Sequence, residues 1–160
     1  MRVLSFLPAI MLALSVSAHA ADPKPPAKPL PHTILVIDTA AGEVKFDVEV
    51  AADWRSQEYG LMNRKFLSRH TGMIFDFGSP SMTSFWMKNT LIPLDMIFIR
   101  EDGTVSSVAP DAVPMSLTSI PSTEPVRAVL EIGGGEAAKF GIYPGQKVHN
   151  AIFGNAARPR

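Results

Sequence analysis

The chain has 160 residues, 15 basic against 15 acidic, and no cysteine. A balanced charge without a basic run gives nucleic-acid binding no electrostatic support. The lack of cysteine excludes disulfides and thiolate metal ligands.

Met1 and Arg2 open the chain, an apolar stretch covers residues 3–16, and Ala18-His19-Ala20 follows. A short positive start, an apolar centre and a small-x-small tripeptide mark a cleavable export signal. A membrane span needs about 20 mainly apolar residues. This stretch is shorter, and Pro8, Ser5 and Ser15 interrupt it. Residues 1–20 are therefore expected to be removed, leaving 140 residues with a net charge of −1 in the periplasm or outside the cell. That length suits one domain. No later stretch is apolar enough to span a bilayer.

Residues 21–31 read ADPKPPAKPLP and hold five of the 14 prolines. Such a composition predicts an extended, disordered tether over residues 21–32. The folded domain is expected over 33–152, with a frayed tail at 153–160.

Within the domain, residues 34–37 form a β-branched run and residues 39–42 a turn. Val44, Phe46, Val48 and Val50 then alternate with Lys45, Asp47 and Glu49. This period of two predicts a half-wet strand and, with the first run, a hairpin. Asp53 is placed to cap a helix over residues 54–59, and Gly60 to stop it. Strands are predicted over 73–77, 84–88 and 94–100, with Pro93 between the last two. Asp102-Gly103 signals a hairpin turn, with a return strand at 105–109. Residues 110–125 form a long, proline-punctuated loop, a candidate for binding or covering. A strand at 126–132, a helix at 133–140 closed by Gly141, and a strand at 146–150 complete the chain. Many short strands with two short helices predict a single mainly-β domain, a β-sandwich or open barrel. The strand from Leu94 is apolar on both faces except at Asp95, so it is expected to be central.

The chemistry concentrates in residues 84–98, SFWMKNTLIPLDMIF. In a strand, Trp86 and Lys88 share a face about 6–7 Å apart, and Asn89 and Thr90 open the next loop. A buried carboxylate without partners costs several kcal/mol, so Asp95 needs Lys88, Arg127 or the amides of the 89–93 loop. Two roles stay open for it: pinning that loop, or binding and catalysis. Arg127 and Glu131 fall on one face of their strand about 13 Å apart, too far to pair directly.

These residues predict a site for a small polar ligand, a saccharide or envelope fragment, formed by Trp86, Lys88, Asn89, Thr90, Asp95, Arg127 and Glu131. A hydrolase using Asp95 or Glu131 as acid/base is the alternative. A structural or protein-interaction domain without a small ligand is the third reading. No cofactor or metal is expected. His32, His70 and His149 show no metal spacing, no loop cradles a phosphate, and no serine sits in a nucleophile elbow. Met62, Met73, Met82, Met87, Met96 and Met115 follow no MxxM pattern and read as core fillers.

Several motifs carry a resemblance: Gly60-Leu61-Met62, Gly72-Met73-Ile74-Phe75, Phe85-Trp86-Met87-Lys88-Asn89-Thr90, Ile92-Pro93-Leu94-Asp95, Val129-Leu130-Glu131, and Gly141-Ile142-x-x-Gly145. Over about residues 34–150 the chain resembles the DUF192 (UPF0127) family. The resemblance implies a compact mainly-β domain, often exported, and supplies no activity. Two features depart from the family pattern. Arg55, Ser56 and Gln57 stand where acidic residues are common, and the 115–120 loop lacks the cysteine pair of some members.

Overall fold

The alternating run forms a strand, as predicted. His32–Thr39 (β1) and Gly42–Ala51 (β2) pair antiparallel along the whole of β1, with Leu35 opposite Phe46. The computed structural model describes residues 22–156.

After β2 the chain turns into a six-residue helix, Trp54–Tyr59 (α1). Asp53 caps it. Its carboxylate accepts from the Arg55 and Ser56 amides at 3.0 and 3.1 Å, and the Ser56 hydroxyl accepts from the Asp53 amide at 3.3 Å. Such caps are worth about 1 kcal/mol. The helix stops at Gly60, whose φ is +49°, a conformation side chains disfavour.

The crossover through α1 lets Thr71–Ser81 (β3) return parallel to β2, with Val50 opposite Ile74. Then come Ser84–Phe85 (β4), Leu94–Ile99 (β5), Val105–Ala112 (β6), Ile120–Pro121 (β7) and Val126–Gly133 (β8). A short helix, Glu136–Phe140 (α2), a two-residue strand, Val148–His149 (β9), and a 3-10 turn, Ala151–Phe153, follow. The main sheet runs β6-β5-β8-β3-β2-β1-β9, while β4 and β7 form a separate ribbon. Among the described residues only the β2–β3 pair is parallel. The sheet curls into a half-barrel whose edges meet at one corner. There Thr104 faces Lys147, and the Val105 amide donates to the Gln146 carbonyl at 2.9 Å. The chain is thus mainly β, an open barrel with two short helices.

Both faces of the sheet are covered. The inner face gathers Leu35, Ile37, Phe46, Ile74, Ile97, Leu130 and Val148, with Ala137 of α2 packed among them. The outer face gathers Met73, Phe75, Met96, Phe98 and Val129 under Leu61 and Met87. Burying each large side chain contributes roughly 1.5–3 kcal/mol. All six residues of β5 are buried, as expected of a central strand.

Some boundaries differ from expectation. The strand predicted over 84–88 ends at Phe85, because the Met87 amide bonds the Ser116 carbonyl at 2.9 Å instead of a ladder partner. Residues 110–112 extend β6, held by Ala112 opposite Leu94, and so leave the long loop. Gly133 ends β8, and the second helix starts only at Glu136.

The proline-rich stretch also departs from a disordered tether. Residues 22–31 form no helix or strand, yet they lie against the domain. The Pro31 carbonyl accepts from the Val50 amide at 2.8 Å, Leu30 packs on the outer cluster, and Asp22 pairs with Lys88 at 2.8 Å. Polyproline backbone has no internal hydrogen bonds, which leaves its carbonyls free to accept from a neighbour. At the other end, Phe153 packs on the inner cluster and Asn155 Nδ2 donates to the Val148 carbonyl at 3.0 Å, so the chain is held past residue 153. The predicted export signal and the last residues, 157–160, lie outside the described residues. No helix among the described residues is long and apolar enough to cross a membrane.

Candidate functional site

On the outer face, α1 and the segment from Thr83 to Thr90 stand apart and leave a cleft of about 360 Å³. Its walls are aromatic: Tyr59 from α1, Phe75 and Phe77 from β3, Phe85 and Trp86 from the opposite side. Phe75 and Phe85 meet edge to face with centroids 5.0 Å apart, and Phe85 meets Phe98 edge-on at 6.3 Å. These contacts lock the deep part of the wall into the core. Trp86 is 51% exposed at the mouth.

Lys88 stands beside Trp86, its Nζ 5.7 Å from the ring centroid. The predicted neighbourhood of these two side chains holds, although no strand sets it. Asn89 has φ +55°, a left-handed turn that asparagine tolerates. Its carbonyl accepts from the Asn63 amide at 2.8 Å, and its side chain bonds Asp22 at the rim. Thr90 is buried in the lining; its amide donates to the Met87 carbonyl at 3.1 Å.

The floor comes from the sheet. Glu131 of β8 is 4% exposed and lines the cleft. Its neighbours across the ladder are Met73 on one side and Met96 on the other. No hydrogen bond or ion pair reaches its carboxyl among the described residues. Burial disfavours the charged form and pushes its pKa from 4.5 up to about 8. Near neutral pH it is largely a protonated acid, able to donate a hydrogen bond or to ionise against a cation.

Asp95 has a different fate. Alternation along β5 turns it to the inner face with Ile97 and Ile99, away from the cleft. Its Oδ1 accepts from the Asp111 and Gly135 amides at 2.8 and 3.0 Å, and its Oδ2 from the Ala137 amide at 2.7 Å. These donors come from β6 and the start of α2. Neither the expected 89–93 loop nor Lys88 or Arg127 supplies them. The glycine run 133–135 explains itself here. A Cβ on Gly134 would meet Pro93 at 2.8 Å, and Gly135 presents its amide at φ +81°. Arg127 also leaves the predicted cluster: it forms a largely buried ion pair with Asp76 of β3.

Against known proteins, the model of DUF192, described as an uncharacterised family, matches residues 36–150. The chain belongs to the DUF192 family. A solved structure from Sinorhizobium meliloti 1021, for which a role as transcription regulator has been suggested, is 38% identical, with a TM-score of 0.76 over 79% of this chain and 99% of that one. A protein of unknown function from Novosphingobium aromaticivorans DSM 12444 is 42% identical, with a TM-score of 0.75 over 82% of this chain and 94% of that one. A comparison with curated proteins gave no match.

In this DUF192 domain the fold thus brings Trp86, Lys88, Thr90 and Glu131 around one cleft, leaves Asn89 outside its lining, and places Asp95 and Arg127 elsewhere. Sequence reasoning missed the wall opposite, Gln57, Glu58 and Tyr59 of α1, and the deep rings Phe75 and Phe77. The resemblance motifs Gly60-Leu61-Met62 and Gly72–Phe75 border that wall and were its one signal. Gly72 has a direct role. A Cβ there would stand 2.2 Å from the Glu131 carbonyl, so only glycine lets β3 approach the strand that carries Glu131. Among the described residues no cluster of three His, Asp or Glu is placed to hold a metal ion.

Proposed function

We propose that this chain is an exported domain that binds a small organic ligand in the cleft above Glu131. One observation carries the reading. A carboxyl that is almost wholly buried and lacks a protein partner forms the floor of an open, aromatic-walled space. Buried polar groups ordinarily find partners, and one left unpaired beside open space is an exception that a ligand would resolve. The cleft volume falls in the range of small-molecule sites, roughly 300–1,000 Å³. Trp86 and Phe85 offer flat apolar surfaces of the kind that sugars and other part-apolar rings pack against, while Thr90 and Glu131 offer hydrogen bonds.

The hydrolase built on Asp95 with Glu131 finds no geometric support, since the two carboxyls point to opposite faces of the sheet. The role suggested for the Sinorhizobium neighbour gains no help from the even balance of 15 basic and 15 acidic residues. Export rests on residues 1–20 and their signal-like pattern.

Amide NMR titration with a panel of neutral saccharides, amino sugars and organic amines tests the binding reading. Shifts confined to residues 57–62, 83–90 and the Trp86 indole are expected. A panel that perturbs none of them at millimolar concentration argues against a ligand site. For export, the mass of the protein recovered from cells is expected to correspond to a chain starting at Ala21. Recovery of the uncleaved chain in the cytoplasm contradicts it.

A further inference from the structure

We infer that the ligand of this cleft carries an organic ammonium group, seated against the carboxyl of Glu131 inside the aromatic wall. This inference rests on the reading of the cleft as a ligand site and names the chemistry that site would select.

Charge comes first. Two carboxyl groups line the cleft, Glu58 at its exposed edge and Glu131 at its floor. Among the described residues the single cation in the lining, Lys88, is already paired with Asp22 at 2.8 Å. An anionic ligand would oppose ionisation of either acid and would meet a cation already engaged. A cation would meet the opposite.

The walls agree. Tyr59, Phe75, Phe77, Phe85 and Trp86 surround the space. Ring faces attract ammonium groups by about 0.5–2 kcal/mol each, more so when water is excluded. Aromatic walls closing over a carboxyl are a design that suits alkylated or primary ammonium ions. Lys88 over the Trp86 ring already shows that the wall accepts such a group at its mouth.

The floor supplies the specific demand. Glu131 lies between Met73 and Met96 and has no partner among the described residues. An arriving ammonium would give the carboxyl its first ion pair, and a protonated amine its first hydrogen bond as well, offsetting the burial that now penalises its charge. A neutral hydroxyl would give the hydrogen bond alone.

Proton release follows. With Glu131 held up to about 8, pairing with a cation requires the acid to ionise first. The other charged or titratable groups facing this space are Glu58 and Tyr59 from α1 and Lys88 with Asp22 from the opposite rim; Arg127, further along β8, is tied to Asp76. Affinity for an ammonium ligand is therefore expected to rise about tenfold from pH 7 to pH 9, as Glu131 goes from about one-tenth to nine-tenths ionised.

The test is isothermal titration of the purified chain with choline, benzylammonium and putrescine, and with a panel of neutral saccharides. Choline and benzylammonium are matched to uncharged counterparts, 3,3-dimethylbutan-1-ol and benzyl alcohol. At least one ammonium is expected to bind, with any uncharged counterpart at least tenfold weaker. Its affinity is expected to climb tenfold between pH 7 and 9 in the wild type and to stay flat in Glu131→Gln. Equal binding of a charged and uncharged pair, or binding of neutral saccharides with no ammonium binding, overturns the ammonium inference and leaves the cleft as a ligand site. Absence of binding by every compound overturns both. Should Glu131→Gln fold poorly, the matched pairs and the wild-type pH profile decide alone.

Discussion

Asp95 and Glu131 sit one residue out of register on neighbouring strands, Asp95 opposite Ile132 and Glu131 opposite Met96, and they face opposite sides of the sheet. Both are buried acids. The Asp95 carboxyl accepts from three backbone amides, whereas the Glu131 carboxyl accepts from none among the described residues. One step of strand alternation thus separates a carboxylate that builds the fold from one that faces the cleft.

Replacing Asp95 therefore tests architecture. Its three bonds hold the start of α2 and the end of β6 against β5. Asp95→Ala strands all three donors inside the protein, and Asp95→Asn retains one acceptor oxygen. Hydrogen bonds to charged groups contribute roughly 1.5–3 kcal/mol each, and unmet donors cost about 1–3. Urea unfolding is expected to show a loss of about 3–5 kcal/mol for alanine and about half that for asparagine. A loss under 1 kcal/mol for the alanine variant contradicts the assignment.

Glu131 makes the opposite prediction through pH. Its folded pKa, about 8, lies above the ordinary 4.5. Between those values the folded chain holds a proton that the unfolded chain has lost. Stability contributed by that proton is complete below 4.5 and falls as pH rises towards 8, by about 1.4 kcal/mol per pH unit. The stability difference between the wild type and Glu131→Gln, followed by urea unfolding from pH 4 to 9, should slope downward across that window and flatten above it. A difference independent of pH would mean that the carboxyl is solvated or paired.

Gly72→Ala probes the support beneath the site. The new methyl would collide with the Glu131 carbonyl, and neither strand has room to yield, since Ile74 and Leu130 are fully buried next to the contact. Overpacking of this kind costs about 1–3 kcal/mol or more. A lowered melting temperature with altered amide shifts along β8 is expected. An unchanged melting point would mean that β3 and β8 separate easily.

The Asp22–Lys88 pair governs the proline-rich strap. Lys88 draws the Asp22 carboxyl below the usual carboxylate range. The contact is therefore present at neutral pH and is lost as pH falls through that lowered value. Asp22→Ala is expected to reduce the heteronuclear NOE of the Lys24, Ala27 and Lys28 amides and leave the β-strands unchanged. If these amides remain as ordered as in the wild type, Leu30 and the Pro31–Val50 bond alone hold the strap.

Much of this fold is legible locally. The alternation from Val44 to Val50, the cap at Asp53 and the Asp102-Gly103 turn each follow from a few adjacent residues, and each forms. What stays hidden is the side of the sheet to which a residue points when both sides are apolar. In β5 every position is buried, so hydropathy cannot tell that Asp95 shares a face with Ile97 and Lys88 does not. The parallel pairing of β2 with β3 is equally invisible, because it depends on a crossover through α1. That pairing brings Tyr59 opposite Trp86 and so creates the second wall of the cleft. Lys88 and Trp86 were found together for a different reason than a shared strand, through a turn fixed by Asn89 and by bonds to the 113–116 segment. The strap escaped notice because proline composition speaks only of the chain's own stiffness, not of a surface waiting to receive Leu30.

The most direct measurement is the carbon-13 titration of the Glu131 side-chain carboxyl in the ligand-free protein. A midpoint near 8 is expected, with Trp86 and the 83–90 amides shifting at the same midpoint. A midpoint near 4.5 would mean that the carboxyl is hydrated or bonded, and would remove the basis for a ligand site at the floor of this cleft.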